Sequence, residues 1–316
     1  MERIKSVDIL RGFSMFWMMV IQLLDFVSNN YIMSVNWERA SPFWLITHDH
    51  VNWLPYFCVI SGVSVWLMVT KRLEKGQSKL HIFVRGWQRY GYYITLSMLL
   101  CLWCMRWDTF IWLNEIIGAI GVYAFITLIL TLIFYKHEWI FPILAVSLCF
   151  IGYYHGHKFD PILKWNQYRF YWMLPMWFWG VFFAKYIAKK DKDKLLTGSI
   201  MLFLFFVLFE LIEKSEIRYS QRDFTFIIFN SALVILSFAI LSSIDLNPQS
   251  WIYKHLDYFG RHSLFFYVFH LAVYFKLIRY TGLFQCFDPL PSIILMIMGI
   301  LFMYLLRRAL PESRWF

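Results

Sequence analysis

The chain has 316 residues, of which 60% are hydrophobic, 22% aromatic and only 16% charged. A soluble domain sits near half apolar and a quarter charged, so this composition excludes an ordinary soluble enzyme and describes a polytopic membrane protein. The net charge of +10 falls in loops, where it sets membrane orientation rather than nucleic-acid binding.

The first stretch, Arg3 to Gln22, opens on a charged head (Arg3, Lys5, Asp8, Arg11) and runs directly into an apolar segment. Asp8 and Arg11 are three apart, so on a helix they share a face and can pair. Gly12 removes a side chain beside Arg11 and lets another group approach the backbone there. No small-residue cleavage site follows, so the run reads as a retained helix and not a signal peptide.

A spanning helix takes roughly 20 apolar residues. By that measure the predicted spans are 9–29, 51–70, 90–106, 112–134, 138–154, 170–187, 195–213, 223–243, 262–280 and 291–307. The expected fold is therefore all-α, a polytopic integral membrane bundle of about ten helices forming a single domain over 1–316. Lys71, Arg72, Lys75, Lys79, Arg85 and Arg89 crowd the second connection, five lysines from Lys185 to Lys194 the sixth, and Arg307, Arg308 and Arg314 the end. With ten spans all three lie on the side of the N-terminus, which predicts both termini cytoplasmic.

Between the first two spans, residues 30–50 form a connection long enough to be functional. It holds Trp37, Phe43 and Trp44 and ends on His48, Asp49 and His50. A second outer loop carries His155 and His157. The segment 78–89 reads as an amphipathic helix on the cytoplasmic surface, with Arg85 and Arg89 one turn apart on one face. Of the five cysteines, Cys58, Cys101, Cys104 and Cys149 fall in apolar runs and read as small buried hydrophobes. No phosphate-binding P-loop, dinucleotide-binding glycine pattern or zinc-protease motif is present.

Polar residues inside spans are costly and face the protein interior. Gln22 lies about 16 Å along the helix from Arg11, about half the hydrocarbon thickness, with Asp25 one turn further. His270 lies in the ninth span, Glu210 and Asn230 in the seventh and eighth. Histidine titrates near neutral pH, and a neighbouring carboxylate tunes its basicity, so His48, Asp49 and His50 are candidates for proton transfer. Two imidazoles without further fixed ligands are weak evidence for a metal, and none is expected.

The opening Arg3, Ser6, Asp8, Arg11 and Gly12 resembles the signature of transmembrane acyltransferases, the heparan-α-glucosaminide N-acetyltransferase group and the bacterial membrane acyltransferases that modify surface glycans. Further pieces resemble that family in order: Trp53 to Gly62, the Arg85–Arg89 pair, Asn114 to Gly121, and Gly260 to His270. Gln22 stands where the bacterial branch has His and the heparan branch Asn. Glutamine cannot act as a base but can hydrogen-bond a carbonyl or a hydroxyl.

The resemblance implies an integral membrane enzyme, expected in the bacterial inner (plasma) membrane. It would move an acyl group, most simply acetyl, from cytoplasmic acetyl-CoA or another acyl-CoA to a hydroxyl or amine of a surface or lipid-linked glycan. Arg3, Asp8, Arg11, Arg85 and Arg89 would serve the donor phosphates. His48, His50, Asp49, Gln22 and His270 would serve the transfer itself. The implied partners are membrane lipid and the glycan acceptor, with no nucleic acid and with a homodimer allowed. The competing reading is a carrier or flippase for a lipid-linked glycan or small anion, which mid-membrane Gln22, Asp25 and His270 would also suit. A third is a non-catalytic partner in polysaccharide assembly.

Overall fold

The computed structural model describes residues 4–28, 53–103, 116–159, 170–213, 224–244, 247–284 and 286–311. Among them the elements are helical: α1 (Lys5–Val27), α2 (Trp53–Glu74), α3 (Lys79–Trp103), α4 (Ile116–Phe134), α5 (Ile140–Phe159), α6 (Phe170–Lys189), α7 (Lys192–Glu213), α8 (Phe224–Ser243), α9 (Trp251–Arg261), α10 (Ser263–Phe269), a π-helical turn (His270–Phe275), α11 (Lys276–Tyr280) and α12 (Pro289–Ala309). Among the described residues, four stretches are long and apolar enough to cross a membrane: Lys5–Leu24, Leu54–Glu74, Ile117–Phe134 and Leu290–Ala309.

Local chemistry sets several helix ends. Ser78 Oγ accepts from the His81 amide at 3.2 Å, Asp191 Oδ1 from Lys194 at 3.2 Å and Ser250 Oγ from Tyr253 at 3.2 Å. Each side chain satisfies an amide that the first helical turn leaves without a partner. Gly76 (φ 74°) and Lys190 (φ 52°) adopt the left-handed conformation that commonly closes a helix at its C-terminal end.

Three expectations change. The segment 78–89 is not a separate surface helix: α3 is continuous from its Ser78 cap through to Trp103. The stretch holding His155 and His157 is the last part of α5, not a loop. Ser250 also starts a helix, α9, in what reads from sequence as a connection before the ninth span.

The chain divides into two compact units, Met1–Leu54 with Leu246–Phe316, and Pro55–Asp245. In the second unit α6 is the packed centre, burying Met173, Trp177, Phe178, Phe183 and Ile187 against α4, α5, α7 and α8. A Cβ on Gly62 of α2 would strike the Trp177 carbonyl of α6, and one on Gly180 would strike the Val59 carbonyl. Small residues are what allow helix backbones to approach this closely where lipid supplies no hydrophobic drive. Lys185 pairs with Glu138 at the loop-proximal end of this unit. Cys58 and Cys149 are buried, as their apolar runs predict, while Cys286 is exposed.

In the first unit α1 is the centre and packs on α9, α10, the π turn and α12. Met15, Met18, Met19, Leu23 and Val27 are fully buried along it. α12 buries Ser292, Met296, Ile300, Met303 and Arg307 and exposes Ile297, Met298, Leu301 and Leu305. That alternation follows the helical period and turns an apolar face outward, as a lipid-facing helix does.

Candidate active site

The charged head of α1 forms at its first two turns. Arg11 donates to Asp8 Oδ1 at 3.0 Å, with Arg11 26% and Asp8 11% exposed at the side chain. A carboxylate this enclosed fixes the guanidinium, whose five donors form a planar fork. Gly12 follows immediately, and a Cβ there would fall on the Leu256 carbonyl of α9. Gly260 of α9 is the reciprocal contact, since its Cβ would fall on the Asp8 carbonyl. The helix that carries Arg11 is therefore held backbone to backbone against α9.

Further along α1, Gln22 meets His270. The imidazole Nε2 lies 2.5 Å from Gln22 Oε1, and His270 is fully buried. His270 Nδ1–H donates to the Phe266 carbonyl at 3.0 Å. A carbonyl only accepts, so this bond assigns the Nδ1 proton and leaves Nε2 as the atom that gains or loses one. The Gln22 amide suits both outcomes: its N–H₂ group donates to a neutral imidazole, and its oxygen accepts from an imidazolium. The π-helical turn begins at His270. Such turns interrupt the regular ladder and occur frequently at functional sites.

A second polar group lies near the C-terminal end of α12. The Tyr304 hydroxyl is 2.7 Å from His255 Nδ1. Arg307 Nε donates to His262 Nδ1 at 3.2 Å, and its guanidinium lies 5.7 Å from the Phe265 ring centre. Arg307 is 2% exposed. An imidazole that accepts at Nδ1 is neutral with its proton on Nε2, so His262 is held in one tautomer.

The predicted site residues thus divide. Asp8 joins Arg11, and Gln22 joins His270. Arg85 and Arg89 are exposed, one turn apart on α3 of the second unit, and Arg89 reaches the Tyr93 hydroxyl at 3.5 Å. Arg3, His48, Asp49 and His50 lie outside the described residues, as does the side chain of Asp25. Among the described residues no three His, Cys, Asp or Glu side chains gather as metal ligands. Asp257 and Arg261 pair on α9; a basic residue at the start of a span reads from sequence as a positive-inside anchor, which hides the pairing. The signal was present: Asp257, Gly260 and Arg261 repeat in altered order the Asp8, Arg11 and Gly12 of α1.

Apolar helices long enough to span a bilayer, with a carboxylate-held arginine at the start of the first and a buried histidine late in the chain, describe an integral membrane protein. The chain belongs to the heparan-alpha-glucosaminide N-acetyltransferase catalytic family, whose model matches residues 3–214. No curated protein matches the chain. The matched region contains Arg11 and Gln22; α9, His270 and α12 follow it.

Proposed function

We propose that this protein transfers an acetyl group from cytoplasmic acetyl-CoA to an amine or hydroxyl of a glycan, with a terminal α-glucosaminide as the first acceptor to try. It does so as a bundle of about ten spans with both termini cytoplasmic, in a bacterial plasma membrane. The observation that carries the reading is the Gln22–His270 pair at 2.5 Å on the helix that begins with the Asp8–Arg11 pair. Eleven residues separate Arg11 from Gln22, about 16 Å of helix rise. A donor held at its phosphates by Arg11 and Arg3 would extend its pantetheine arm over a comparable reach and bring the thioester towards Gln22.

In the transfer, the acceptor nitrogen or oxygen attacks the thioester carbonyl carbon. The new C–N or C–O bond forms as the C–S bond breaks, and the sulfur leaves as the thiolate of CoA. A base removes the acceptor's proton, which ends on that thiolate. His270 Nε2 is suited to this because Phe266 already holds the other ring nitrogen. His48 and His50, with Asp49 beside them, are the alternative base at the acceptor side. Gln22, with one N–H directed at the reacting carbonyl, would stabilise the oxyanion.

The test is acceptor-dependent release of free CoA from acetyl-CoA by the purified protein, with an α-glucosaminide oligosaccharide as acceptor. The expected result is release that stops in Arg11→Ala and in His270→Ala, while both variants stay folded in the membrane. Absence of thioester cleavage, together with movement of a labelled lipid-linked glycan across vesicles without CoA, would replace the enzyme by a carrier. Unchanged turnover in the His48→Ala/His50→Ala double variant would leave His270 as the base.

A further inference from the structure

Helices α1 and α9 pack backbone to backbone at two glycines. Gly12 faces Gly260, Phe16 meets Phe259 at 5.7 Å between ring centres, and Gln22 meets His270. From the Gly12/Gly260 contact to the Gln22/His270 contact the numbers rise on both sides, so the chain from α9 through α10 runs in the same direction as α1. At 3.6 residues per turn each residue turns about 100°. One residue before the contact glycine on one helix and one residue after it on its parallel neighbour therefore project to the same side. Those residues are Arg11 and Arg261.

The same arithmetic sends Phe16 and Phe259 to the opposite side, where their rings touch and where Tyr304 of α12 closes over Phe259 at 5.6 Å. The crossing thus has an aromatic side and a charged side. On the charged side Asp8 and Asp257 lie inward, 11% and 13% exposed, and Arg11 and Arg261 lie outward, 26% and 45% exposed. Lys254, two turns before Arg261, is exposed and falls on the same side, so the group carries net positive charge.

We propose that Arg261, oriented by Asp257, is the second half of a two-arginine clamp for the diphosphate of the acyl-CoA donor, with Arg11 as the first. The assignment rests on the acyl-CoA reading above. A diphosphate offers two phosphate groups, and guanidinium forks bind phosphate in a planar, two-bond arrangement that lysine does not reproduce. Ordinary helix pairs stand 8–10 Å apart. Glycine on both helices closes that distance, which brings the two forks within reach of one ligand. Gln22 lies ten residues beyond Gly12 on α1, about 15 Å of rise, and His270 meets it there. The clamp and the imidazole are thus spaced along one direction, phosphates at one end and thioester at the other. This gives the segment that follows the family match, α9 and His270, a part in holding the donor.

The test is equilibrium binding of CoA to the detergent-purified full chain, with inorganic pyrophosphate as competitor. Arg261→Ala and the longer-stemmed Arg261→Gln should each weaken CoA binding about 10- to 100-fold, the worth of a charged hydrogen-bonded contact. Pyrophosphate should displace CoA from the unaltered protein and lose that competition in the variants. Either variant binding CoA as tightly as the unaltered protein would overturn the clamp while leaving the acyl-CoA reading standing. An unaltered protein that binds no CoA would remove that reading, and the clamp with it.

Discussion

Replacing Gly12 with alanine tests the packing that the site depends on. The new methyl group would sit on the Leu256 carbonyl of α9 and against the Gly260 amide. Both are helix backbone and cannot rotate aside, so α1 and α9 must part. Overpacking of this kind costs about 1–3 kcal/mol, and the upper end applies because nothing flexible yields. Alanine returns up to about 1 kcal/mol of helix propensity, leaving a net loss of about 2 kcal/mol. A gap of about 0.5–1 Å already forfeits a quarter to a half of each dispersion contact along the interface. Gly260→Ala strikes the Asp8 carbonyl and should cost a similar amount. The double variant should cost less than the two single losses together, by about 1–2 kcal/mol, because the first methyl opens the space that the second occupies. Thermal unfolding of detergent-purified protein, followed by tryptophan fluorescence, reads this as a fall of about 3 °C for each single variant. Gly91→Ala is the control: a Cβ there meets nothing within 4 Å, so it should be neutral or slightly stabilising. Additive losses in the Gly12/Gly260 double variant, or a Gly12→Ala protein as stable as its parent, would refute the crossing.

Other predictions concern single groups. His270→Ala should lower kcat by about 100- to 10,000-fold, the range of a lost general base, with the KM for acetyl-CoA little changed. Gln22→Glu should approach the same loss at neutral pH, because a carboxylate against Nε2 favours the imidazolium and removes the base. Both are read by acceptor-dependent thiol release. Tyr304→Phe, which deletes the bond to His255, should cost about 1 kcal/mol in stability and leave kcat unchanged. Lys185→Met should cost about 1–3 kcal/mol by leaving Glu138 without its cation in a partly enclosed site; Lys185→Met/Glu138→Leu should recover most of it. A double variant as unstable as the single one would show that the loss is packing and not charge.

Two pairs of the candidate site differ in how far the residue order reveals them. Asp8 and Arg11 stand three apart on a helix, and that spacing alone dictates the pair. His270 and Gln22 were each conspicuous as polar groups in apolar runs, but nothing in either run says that they meet, 248 residues apart. Helix α9 was missed because it is short and mixed in character. Its start depends on a single serine cap, and its place in the fold depends on α1. Segment 78–89 was divided from its span because charge gives way to apolar residues near Tyr90. A helix is continued by hydrogen bonds, and those do not respond to that change in polarity.

Composition and spacing decided the solvent in which this chain folds, the run of its helices, and the chemistry available to each short motif. Those properties are local: they depend on apolar length, on the helical period and on neighbours three or four residues away. Which motifs would serve one site was decided by a crossing of two glycines far apart in the chain. A residue without a side chain announces only that something can come close. It cannot say what does, and here it was Gly260 coming against Gly12 that joined α9 to α1, with His270 meeting Gln22 further along.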